Sequence, residues 1–385
     1  MTGAPRILLS GGGTAGHVAP ALAVAAELRR MRPGVELLYV GTADAIEAQL
    51  VPQAGIRFVA VEVRPLSGRR PLEAARGLSA AGRAIAVARR VIRTFEPHAA
   101  LGTGGYVSGP VLAAACLQRV PTAVHEQNLR PGITNRLLSR IVNEVYVSFE
   151  PSQPFFGRRR GIIATGYPVR PEILAAKREP SAQAMGLDPA LPTLLVMAGS
   201  RGALTVSEAV KTGIPRLLAE LPRLQVVLST GEAYYADVMS ALAAAGALDR
   251  DSRRLLVFPY IHRIDQAYAC ADLVLCRAGG STHELLARGL PAILVPSPNV
   301  AYDQQSDNAR LLHRLGAAVI VPDQELNGDL LAREVAGLLA DPSRLSRMAA
   351  AAAAAGRPAA GRELAQRLLS LASTSRKLAA GGDHR

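Results

Sequence analysis

Two glycine-rich segments, each placed between a short apolar run and a helical pattern, are the residues best suited to chemistry. The first, GGGTAGH (residues 11–17), follows Ile7–Ser10, and the second, AGSRG (198–202), follows Leu194–Met197. Glycines let the backbone approach a ligand closely, and free N–H groups at a helix start attract phosphate. Two such segments, almost half a chain apart, predict two Rossmann-like domains that face each other across a cleft. One would hold a nucleotide-activated donor and the other a second substrate.

Two residues in the first half could act as a base. His17 closes the first glycine segment, and an imidazole can take up a proton near neutral pH. Glu126 lies in the polar segment HEQN (125–128), where Asn128 could bind a sugar hydroxyl. The alternatives are a histidine that only caps or packs against the loop, and a polar segment that only caps a helix.

A third glycine-rich turn, GTGGYVSGP (102–110), follows the apolar run Ala99–Leu101 in the same half. Two N–H cradles in one domain would fit a diphosphate on the second substrate. A tight strand-to-helix turn without a ligand is the alternative. The residues that we assign to this second, acceptor substrate are Gly13, Gly104, Gly105, Tyr106 and Ser108.

The second half carries its polar residues in RAGGSTHELLARG (277–289) and DQQSDNA (303–309). N–H groups of Gly279–Thr282 could bind a pyrophosphate, and Glu284 could accept hydrogen bonds from both ribose hydroxyls. A carboxylate that only caps the helix is the alternative for Glu284. Gln304 and Gln305 (with Asn308) suit sugar hydroxyls because an amide both donates and accepts.

The remaining pattern is that of an α/β protein with parallel sheets, since short apolar runs alternate with helical patterns. A chain of 385 residues is long for one core, which favours two domains. GYPVRP breaks the pattern within Ile163–Pro171 and predicts a hinge there. The predicted strands are Arg6–Ser10, Val35–Gly41, Arg57–Val63, Ala99–Gly102, Thr122–His125, Glu144–Val147, Thr193–Met197, Gln225–Ser229, Arg254–Phe258, Asp272–Cys276, Ala292–Val295 and Ala317–Val321.

The basic charge favours an anionic partner such as nucleic acid, acidic lipid or a phosphorylated substrate, and a general compositional bias toward arginine is the alternative. The formal net charge is +13, aromatic residues make up 4%, and tryptophan is absent. Few aromatics argue against a protein that stacks nucleic-acid bases. Residues 64–93 interleave leucines with arginines and predict a basic amphipathic surface for an anionic membrane, or else an ordinary solvated helix face. These arginines are Arg64, Arg69, Arg70, Arg76, Arg83, Arg89, Arg90 and Arg93.

Metal and membrane-spanning patterns are not expected. The three cysteines lack metal-ligand spacing, and the DxD at Asp249–Asp251 is predicted to lie in a polar loop away from any strand. We therefore expect neither a metal nor a cofactor. No segment has the pattern of a signal peptide, and no apolar run reaches the roughly 18 residues of a spanning helix.

In this order, the motifs resemble the MurG family of UDP-N-acetylglucosamine transferases, which are family 28 glycosyltransferases. The matching strings span roughly residues 6–310. They are GGGTAGHVAPALAVAAEL, GTGGYVSGPVL, HEQNLRPGITNRLLS, GYPVRPE, GSRGA, AYACADLVLCRAGGSTHELLARGLPAILVPSP and DQQSDNA.

The resemblance implies a GT-B fold and an arrangement of domains. Residues 1–165 would form an acceptor-binding and membrane-associating domain, and 166–355 a UDP-GlcNAc-binding domain. Residues 356–372 would form a helix that packs back on the first domain, and 373–385 a disordered tail. The enzyme would lie on the cytoplasmic face of the bacterial membrane, without nucleic acid as a partner.

The resemblance also implies roles for single residues. His17, or less readily Glu126, would take the proton from the MurNAc 4-hydroxyl of lipid I, whose oxygen then attacks the donor with inversion to give lipid II. Ile261 would meet the uracil, Glu284 the ribose, and Arg170 the diphosphate. The donor-binding set as a whole is Thr14, Ala15, Gly16, Asn128, Arg170, Ser200, Ile261, Gly280, Ser281, Thr282, Glu284, Gln304 and Gln305.

The chain departs from the family pattern at four places. Ala15 stands where glycine is usual, Tyr167 where asparagine is usual, and Arg201 where glutamine is usual. One residue separates Thr282 from Glu284 where the family has two, which turns Glu284 by about 100° on a helix. The altered loops keep open a non-catalytic nucleotide-sugar-binding scaffold. Another GT-B UDP-sugar transferase and a UDP-sugar 2-epimerase are further alternatives, and the first glycine loop alone would also suit an NAD-dependent dehydrogenase.

Overall fold

The computed structural model describes residues 4–63, 71–157, 161–199, 202–248, 254–299 and 303–381. The chain divides into two compact units. The N-terminal unit comprises Met1–Pro171 and Arg357–Arg385, and the C-terminal unit comprises Glu172–Gly356.

The N-terminal unit contains a seven-stranded parallel sheet in the order β3-β2-β1-β4-β5-β6-β7. Its strands are β1 (Arg6–Ser10), β2 (Glu36–Gly41), β3 (Arg57–Ala60), β4 (Ala99–Gly102), β5 (Thr122–Glu126), β6 (Glu144–Val147) and β7 (Ile162–Ala164). Its first helices are α1 (Ala15–Met31), α2 (Glu47–Gln53), α3 (Pro71–Phe95), α4 (Ser108–Leu117) and α5 (Ile133–Leu138), with a 3-10 turn at Glu150–Phe155.

The C-terminal unit contains a six-stranded parallel sheet in the order β10-β9-β8-β11-β12-β13. Its strands are β8 (Thr193–Met197), β9 (Gln225–Ser229), β10 (Leu255–Phe258), β11 (Leu273–Cys276), β12 (Ala292–Leu294) and β13 (Ala318–Ile320). Its helices are α6 (Pro171–Ala175), α7 (Arg178–Met185), α8 (Leu204–Glu220), α9 (Tyr235–Ala244), α10 (Ile264–Cys270), α11 (Ser281–Arg288), α12 (Gln304–Arg314), α13 (Gly328–Leu339) and α14 (Pro342–Ala355), with 3-10 turns at Glu232–Tyr234 and Asp323–Glu325.

Both faces of the first sheet are buried, which explains why its central strands are continuous apolar runs. Side chains alternate between the faces along β1: Ile7 and Leu9 pack into one core cluster, and Leu8 packs into the other. Because all strands are parallel, their carboxyl ends lie along one edge, where ligands of such sheets bind. The glycine-rich segments leave the sheet at that edge.

The last helix, α15 (Ala360–Gly381), belongs to the N-terminal unit and packs on α1 and β4. Leu364 and Leu368 are fully buried in the same core cluster as Leu28. The helix runs nine residues beyond 372, to Gly381, where the sequence suggested a disordered tail. This end of the chain is rich in alanine, leucine, lysine and arginine. These residues are good helix formers and favour continuation of the helix.

The hinge predicted within Ile163–Pro171 contains part of a strand. Ile162–Ala164 pairs with β6 in parallel and forms the edge of the sheet as β7. A three-residue strand next to a glycine and two prolines leaves little periodicity to read, which explains why the sequence did not predict it. The other predicted strands are present, and several are one to three residues shorter than predicted.

We predict that Leu368→Ala lowers the free energy of unfolding of the N-terminal unit by about 2–5 kcal/mol, because it opens a cavity between α15 and the sheet. Gln366→Ala, on the exposed side of the same helix, should change that free energy by less than about 0.5 kcal/mol. Urea unfolding followed by far-UV circular dichroism measures both. Equal effects of the two substitutions would contradict this packing.

Candidate functional site

The loops that follow β1 and β4 touch each other through their backbones. A Cβ at Gly105 would overlap the carbonyl oxygen of Gly12, and Gly105 has a φ of +78°. Gly13 also has a positive φ, of +83°, and the ring of Tyr106 lies beside it. Only glycine fits such a left-handed position at this separation without strain. The structure therefore brings the first and third glycine-rich segments together, as two neighbouring strands would require.

His17 lies in the first turn of α1, and one of its ring nitrogens, Nδ1, is engaged in hydrogen bonds. Its Nδ1 lies 3.1 Å from the carbonyl oxygen of Gly12 and 3.1 Å from the hydroxyl of Thr14. A carbonyl oxygen only accepts hydrogen bonds, so Nδ1 carries the proton of the neutral ring and Nε2 is left as the base. Burial lowers the pKa of His17, while the Gly12 carbonyl and the charge of Glu47 act in the opposite direction.

The Nε2 atom of His17 points toward the turn after β4. It lies 3.3 Å from the position that a Cβ of Gly104 would occupy, and Asn135 Nδ2 lies 3.5 Å from the same position. Gly104 has a φ of +98°. The basic nitrogen, the glycine turn and the HEQN region thus meet in one place within the N-terminal unit.

Ala15, where the family usually has glycine, is the first residue of α1, after Thr14 in an extended conformation. A helical residue needs no positive φ, and alanine is the best helix former, so this departure costs no backbone strain. Ala15 and Gly16 present main-chain N–H groups of the first turn, which a helix does not itself use. The exposed Thr14 stands at the same end.

Glu126 organises its own loop. Its carboxylate accepts hydrogen bonds from the backbone N–H and side-chain amide of Asn128 (2.9 and 3.1 Å), from Gly132 N–H (3.1 Å) and from Asn135 Nδ2 (2.8 Å). Burial raises the pKa of Glu126, and these four donors act against that rise. Both oxygens are occupied by loop contacts, which makes His17 the stronger candidate for the base.

Several buried polar residues beside this loop were not singled out from the sequence. His125 Nε2 lies 3.1 Å from the Gly166 carbonyl, and burial lowers the pKa of His125 to about 4. Tyr167, the second departure from the family, packs its ring edge-on to His125. Gln127 donates to the Thr103 carbonyl at 2.6 Å. The sequence did signal these contacts through the polar segment HEQN at the end of β5, because polar side chains that become buried nearly always have hydrogen-bond partners.

Ser108 fixes the turn that precedes α4. It is fully buried, and its hydroxyl donates to the Gly105 carbonyl at 3.0 Å. A contact of Ser108 with the acceptor stays a prediction.

In the C-terminal unit, α11 begins where β11 ends. Gly280 precedes the helix, and Ser281 is its first residue, partly exposed. Thr282 is fully buried, and its hydroxyl donates to the Gly279 carbonyl at 2.7 Å. The helix start can therefore offer backbone N–H groups and the Ser281 hydroxyl to an anion, whereas the Thr282 side chain shapes the turn.

Glu284 lies in the first turn of α11 and is mostly buried. Its Oε2 accepts a hydrogen bond of 2.9 Å from the hydroxyl of Tyr268, which is buried on α10. This hydrogen bond holds the carboxylate toward α10. Tyr268 was not singled out from the sequence.

The amides of α12 hold the neighbouring loops. Gln305 Oε1 accepts from Ser297 N–H at 2.8 Å, and Asn308 Nδ2 donates to the Ala278 carbonyl at 3.2 Å. Gln304, the first residue of the helix, is partly exposed. The mostly buried Ile261 follows β10, and Arg170 belongs to the N-terminal unit. Ser200 and Arg201, as well as Asp249–Asp251, fall outside the described residues.

Arg277, at the end of β11, is fixed by contacts that the sequence did not reveal. Its guanidinium donates to the Asp323 carboxylate, to the Val295 carbonyl at 3.1 Å and to the Thr205 hydroxyl at 3.1 Å. Asp323 and Thr205 are also hydrogen-bonded to each other, at 2.5 Å. This network fixes the strand end from which the Gly279–Gly280 turn departs.

Comparisons with known proteins agree with this arrangement. Residues 7–147 match the glycosyltransferase family 28 N-terminal domain, and residues 193–364 match the family 28 C-terminal domain. The UDP-N-acetylglucosamine–N-acetylmuramyl-(pentapeptide) pyrophosphoryl-undecaprenol N-acetylglucosamine transferase of Moorella thermoacetica is 43% identical over 356 residues, covering 92% of this chain and 96% of the relative. The protein of the same name from Symbiobacterium thermophilum is 41% identical over 97% of this chain and 98% of its own length.

Solved structures share the fold. A crystal structure of MurG from Acinetobacter baumannii has a TM-score of 0.71 and 27% identity, and the match covers 95% of this chain and 99% of that one. A UDP-N-acetylglucosamine 2-epimerase structure from Listeria monocytogenes has a TM-score of 0.68 at 16% identity, with 94% and 95% coverage, which shows the fold alone. With its two parallel sheets, the chain has the GT-B fold. The chain therefore belongs to glycosyltransferase family 28 and, within it, to the MurG family.

Proposed function

We propose that this enzyme transfers N-acetylglucosamine from UDP-GlcNAc to the 4-hydroxyl of MurNAc in lipid I, which gives lipid II for peptidoglycan synthesis. The observation that carries the proposal is the near full-length identity to transferases of that name, 43% over 92% of the chain. The arrangement of His17 and the two glycine loops supplies a chemical basis for it.

The proposed step is a direct displacement with inversion. The 4-hydroxyl oxygen of MurNAc attacks the anomeric carbon of the donor, and its proton passes to Nε2 of His17, the ring nitrogen not engaged by Gly12. The bond from the anomeric carbon to the phosphate oxygen breaks, and UDP leaves. Gly13, Gly104, Gly105 and Tyr106 would line the acceptor's place beside His17.

The donor would be held mainly by the C-terminal unit. N–H groups at Gly280 and Ser281 would meet the diphosphate, which stabilises charge on the leaving group. Glu284, oriented by Tyr268, would accept from the ribose hydroxyls. The further donor contacts that we propose are Thr14, Ala15, Gly16, Asn128, Arg170, Ser200, Ile261, Gln304 and Gln305, with Thr282 acting through the turn.

A basic and apolar surface of the N-terminal unit would bind an anionic membrane on its cytoplasmic side. Helix α3 exposes Arg83, Arg89, Arg90 and Arg93. The side-chain amide of Gln118, at the end of α4, donates a hydrogen bond of 3.3 Å to the Arg89 carbonyl. The neighbouring α4–α5 surface exposes Leu117, Ile133, Leu137 and Ile141 beside Arg136 and Arg140. Exposed apolar residues rimmed by cations suit a lipid headgroup layer.

The structure describes part of the arginine-rich stretch 64–93. Arg64, Arg69 and Arg70 lie outside them, and the position of the Arg76 side chain is likewise not described. Among the helices that the structure describes, none combines the length and apolar character needed to cross a bilayer.

The test of the proposed function is incubation of the purified protein with UDP-GlcNAc and a soluble lipid I analogue, with UDP release and product mass as readouts. Addition of one GlcNAc to the analogue supports the transferase. Conversion of the donor to a 2-epimer without an acceptor product would indicate an epimerase, and binding without turnover would indicate a scaffold.

His17→Ala should lower kcat by about 100- to 10,000-fold, since it removes the proposed base. Binding of UDP-GlcNAc, measured by calorimetry, should remain within about twofold because the donor is held mainly elsewhere. Retention of full kcat in this variant would remove His17 from the mechanism.

The pH dependence of the wild type should reflect the lowered pKa of His17. A base acts only when neutral, so activity is lost as pH falls through its pKa. Burial lowers that pKa, and the acid limb of kcat/KM should therefore lie below the ordinary imidazole value of 6.5. An acid limb above that value would contradict His17 as the group that sets it.

Tyr268→Phe should raise the KM for UDP-GlcNAc roughly tenfold with little change in kcat, because Glu284 loses the hydrogen bond that orients it. Tyr146→Phe, which removes a buried tyrosine hydroxyl from the N-terminal unit, serves as the matched control and should leave this KM unchanged. Equal KM values in both variants would show that Tyr268 does not orient a ribose contact.

Replacement of Arg89 and Arg90 by alanine should weaken binding to vesicles that contain phosphatidylglycerol by about 1 kcal/mol per arginine, as measured by flotation at low salt. The single variant Arg333→Ala, an exposed arginine of the C-terminal unit, should leave binding unchanged. Equal binding to zwitterionic vesicles, or no effect of the double variant, would exclude this surface as the membrane contact.

A further inference from the structure

Glu47 is a buried carboxylate that no motif of the sequence marks. It is the first residue of α2 and has no exposed surface. Its Oε1 accepts from the N–H and hydroxyl of Thr42, at 3.1 and 2.7 Å, and its Oε2 accepts from Gly13 N–H at 3.1 Å. Burial of an anion is unfavourable even with good hydrogen bonds, so its presence beneath the first glycine loop calls for a reason.

The glycine loop packs directly against this carboxylate. A Cβ at Gly12 would overlap the carboxylate of Glu47, so any larger residue would displace either the loop or the acid. Tyr39 supports the loop from the same side, since its hydroxyl donates to the Gly11 carbonyl at 2.9 Å. A neutral group, such as the Tyr39 hydroxyl, could also support the shape of the loop. Shape alone therefore does not explain why a carboxylate is buried there.

A single peptide group connects Glu47 to His17. The N–H of Gly13 donates to Glu47, and the C=O of the same peptide group, which belongs to Gly12, lies 3.1 Å from His17 Nδ1. This peptide is trans, as are the other peptide bonds of the described chain, so its N–H and C=O point in opposite directions. The carboxylate, the peptide and the imidazole therefore form a continuous chain of hydrogen bonds.

Such a chain has an electrostatic consequence. A negative charge on the N–H side of a peptide polarises it and strengthens its carbonyl as an acceptor. The imidazolium that forms when His17 takes a proton is then stabilised at Nδ1. The charge of Glu47 raises the pKa of His17 against the lowering by burial, consistent with this geometry.

We propose that Glu47 is a positioning residue of the transferase, which acts through the Gly12–Gly13 peptide to fix the tautomer of His17 and to stabilise its protonated form. This proposal rests on the proposed function, in which His17 is the base. It adds to the candidate bases His17 and Glu126, which the sequence marks, a carboxylate that is reached only through the backbone.

Other groups also face His17. Glu126 approaches from the β5 loop through Asn135, and the phenols of Tyr39 and Tyr106 lie on the β2 and β4 sides of the glycine loop. Glu47 is the carboxylate joined to the Nδ1 side through a peptide group, whereas Glu126 is hydrogen-bonded to Asn135, whose amide lies near Gly104. Removal of Glu47 should thus act on the acid limb in one direction only.

The experiment compares Glu47→Gln with the wild type. Glutamine keeps the size and removes the charge, and its single amide oxygen can accept from Gly13 or from Thr42 but not from both. We expect kcat to fall roughly tenfold, a part of what a general base contributes. The acid limb of kcat/KM should move to lower pH, and the imidazole signal of His17, assigned by its loss in His17→Gln, should titrate at lower pH in the NMR spectrum.

Tyr39→Phe is the matched control. It removes a buried hydrogen bond to the same loop and leaves the charge facing His17 unchanged. Its kcat can fall, but its acid limb and the His17 titration should stay at the wild-type position. If the two variants behave alike, with no movement of either titration, Glu47 is only a structural support and the proposal is wrong.

One further measurement covers the case in which Glu47→Gln does not fold. In the wild type, the carboxyl carbon signal of Glu47 should respond to the titration of His17, and this response should vanish in His17→Gln. A Glu47 signal that ignores the His17 titration overturns the proposal. Failure of the proposed function has a different signature: the wild type then makes no GlcNAc-containing product, whatever the NMR titrations show.

Discussion

The site depends on the contact of two backbones. Gly12 and Gly105 come so close that a side chain at Gly105 would overlap the Gly12 carbonyl, and a side chain at Gly12 would overlap the Glu47 carboxylate. Two adjacent parallel strands, β1 and β4, deliver them there, because the carboxyl ends of paired strands lie side by side. The orientation of His17, the exposure of the Gly13 region and the place of Tyr106 all follow from that contact.

Buried carboxylates fix much of the remaining backbone conformation around the site. Glu126 gathers four donors of its loop, Glu47 holds the first glycine segment, and Glu284 is fixed by Tyr268. A buried carboxylate must find donors, so each one fixes the backbone around it more firmly than an apolar residue could. In such a site, the conformation of the loops is set before any substrate arrives.

The parallel sheets and most strand positions could be predicted, because parallel sheets covered on both faces produce apolar runs that a sequence shows directly. His17 and the glycine turns were also visible, as their spacing relative to strands is local. Glu47 and Tyr268 were not, since their importance arises from contacts with Gly13 and Glu284 that only the fold creates. The burial of Ser108 was not visible either, because burial cannot be read from a motif.

The return of α15 to the first unit has a consequence for synthesis of the chain. Residues up to Pro171 leave the ribosome first, yet the helix that completes their core is translated last, after the whole of Glu172–Gly356. The later unit has all its strands in one continuous stretch and can fold as soon as it emerges. The half that carries His17 lacks one helix of its core until Ala360–Gly381 has been made, so a polypeptide released before that point would have an incomplete N-terminal unit and a complete C-terminal one.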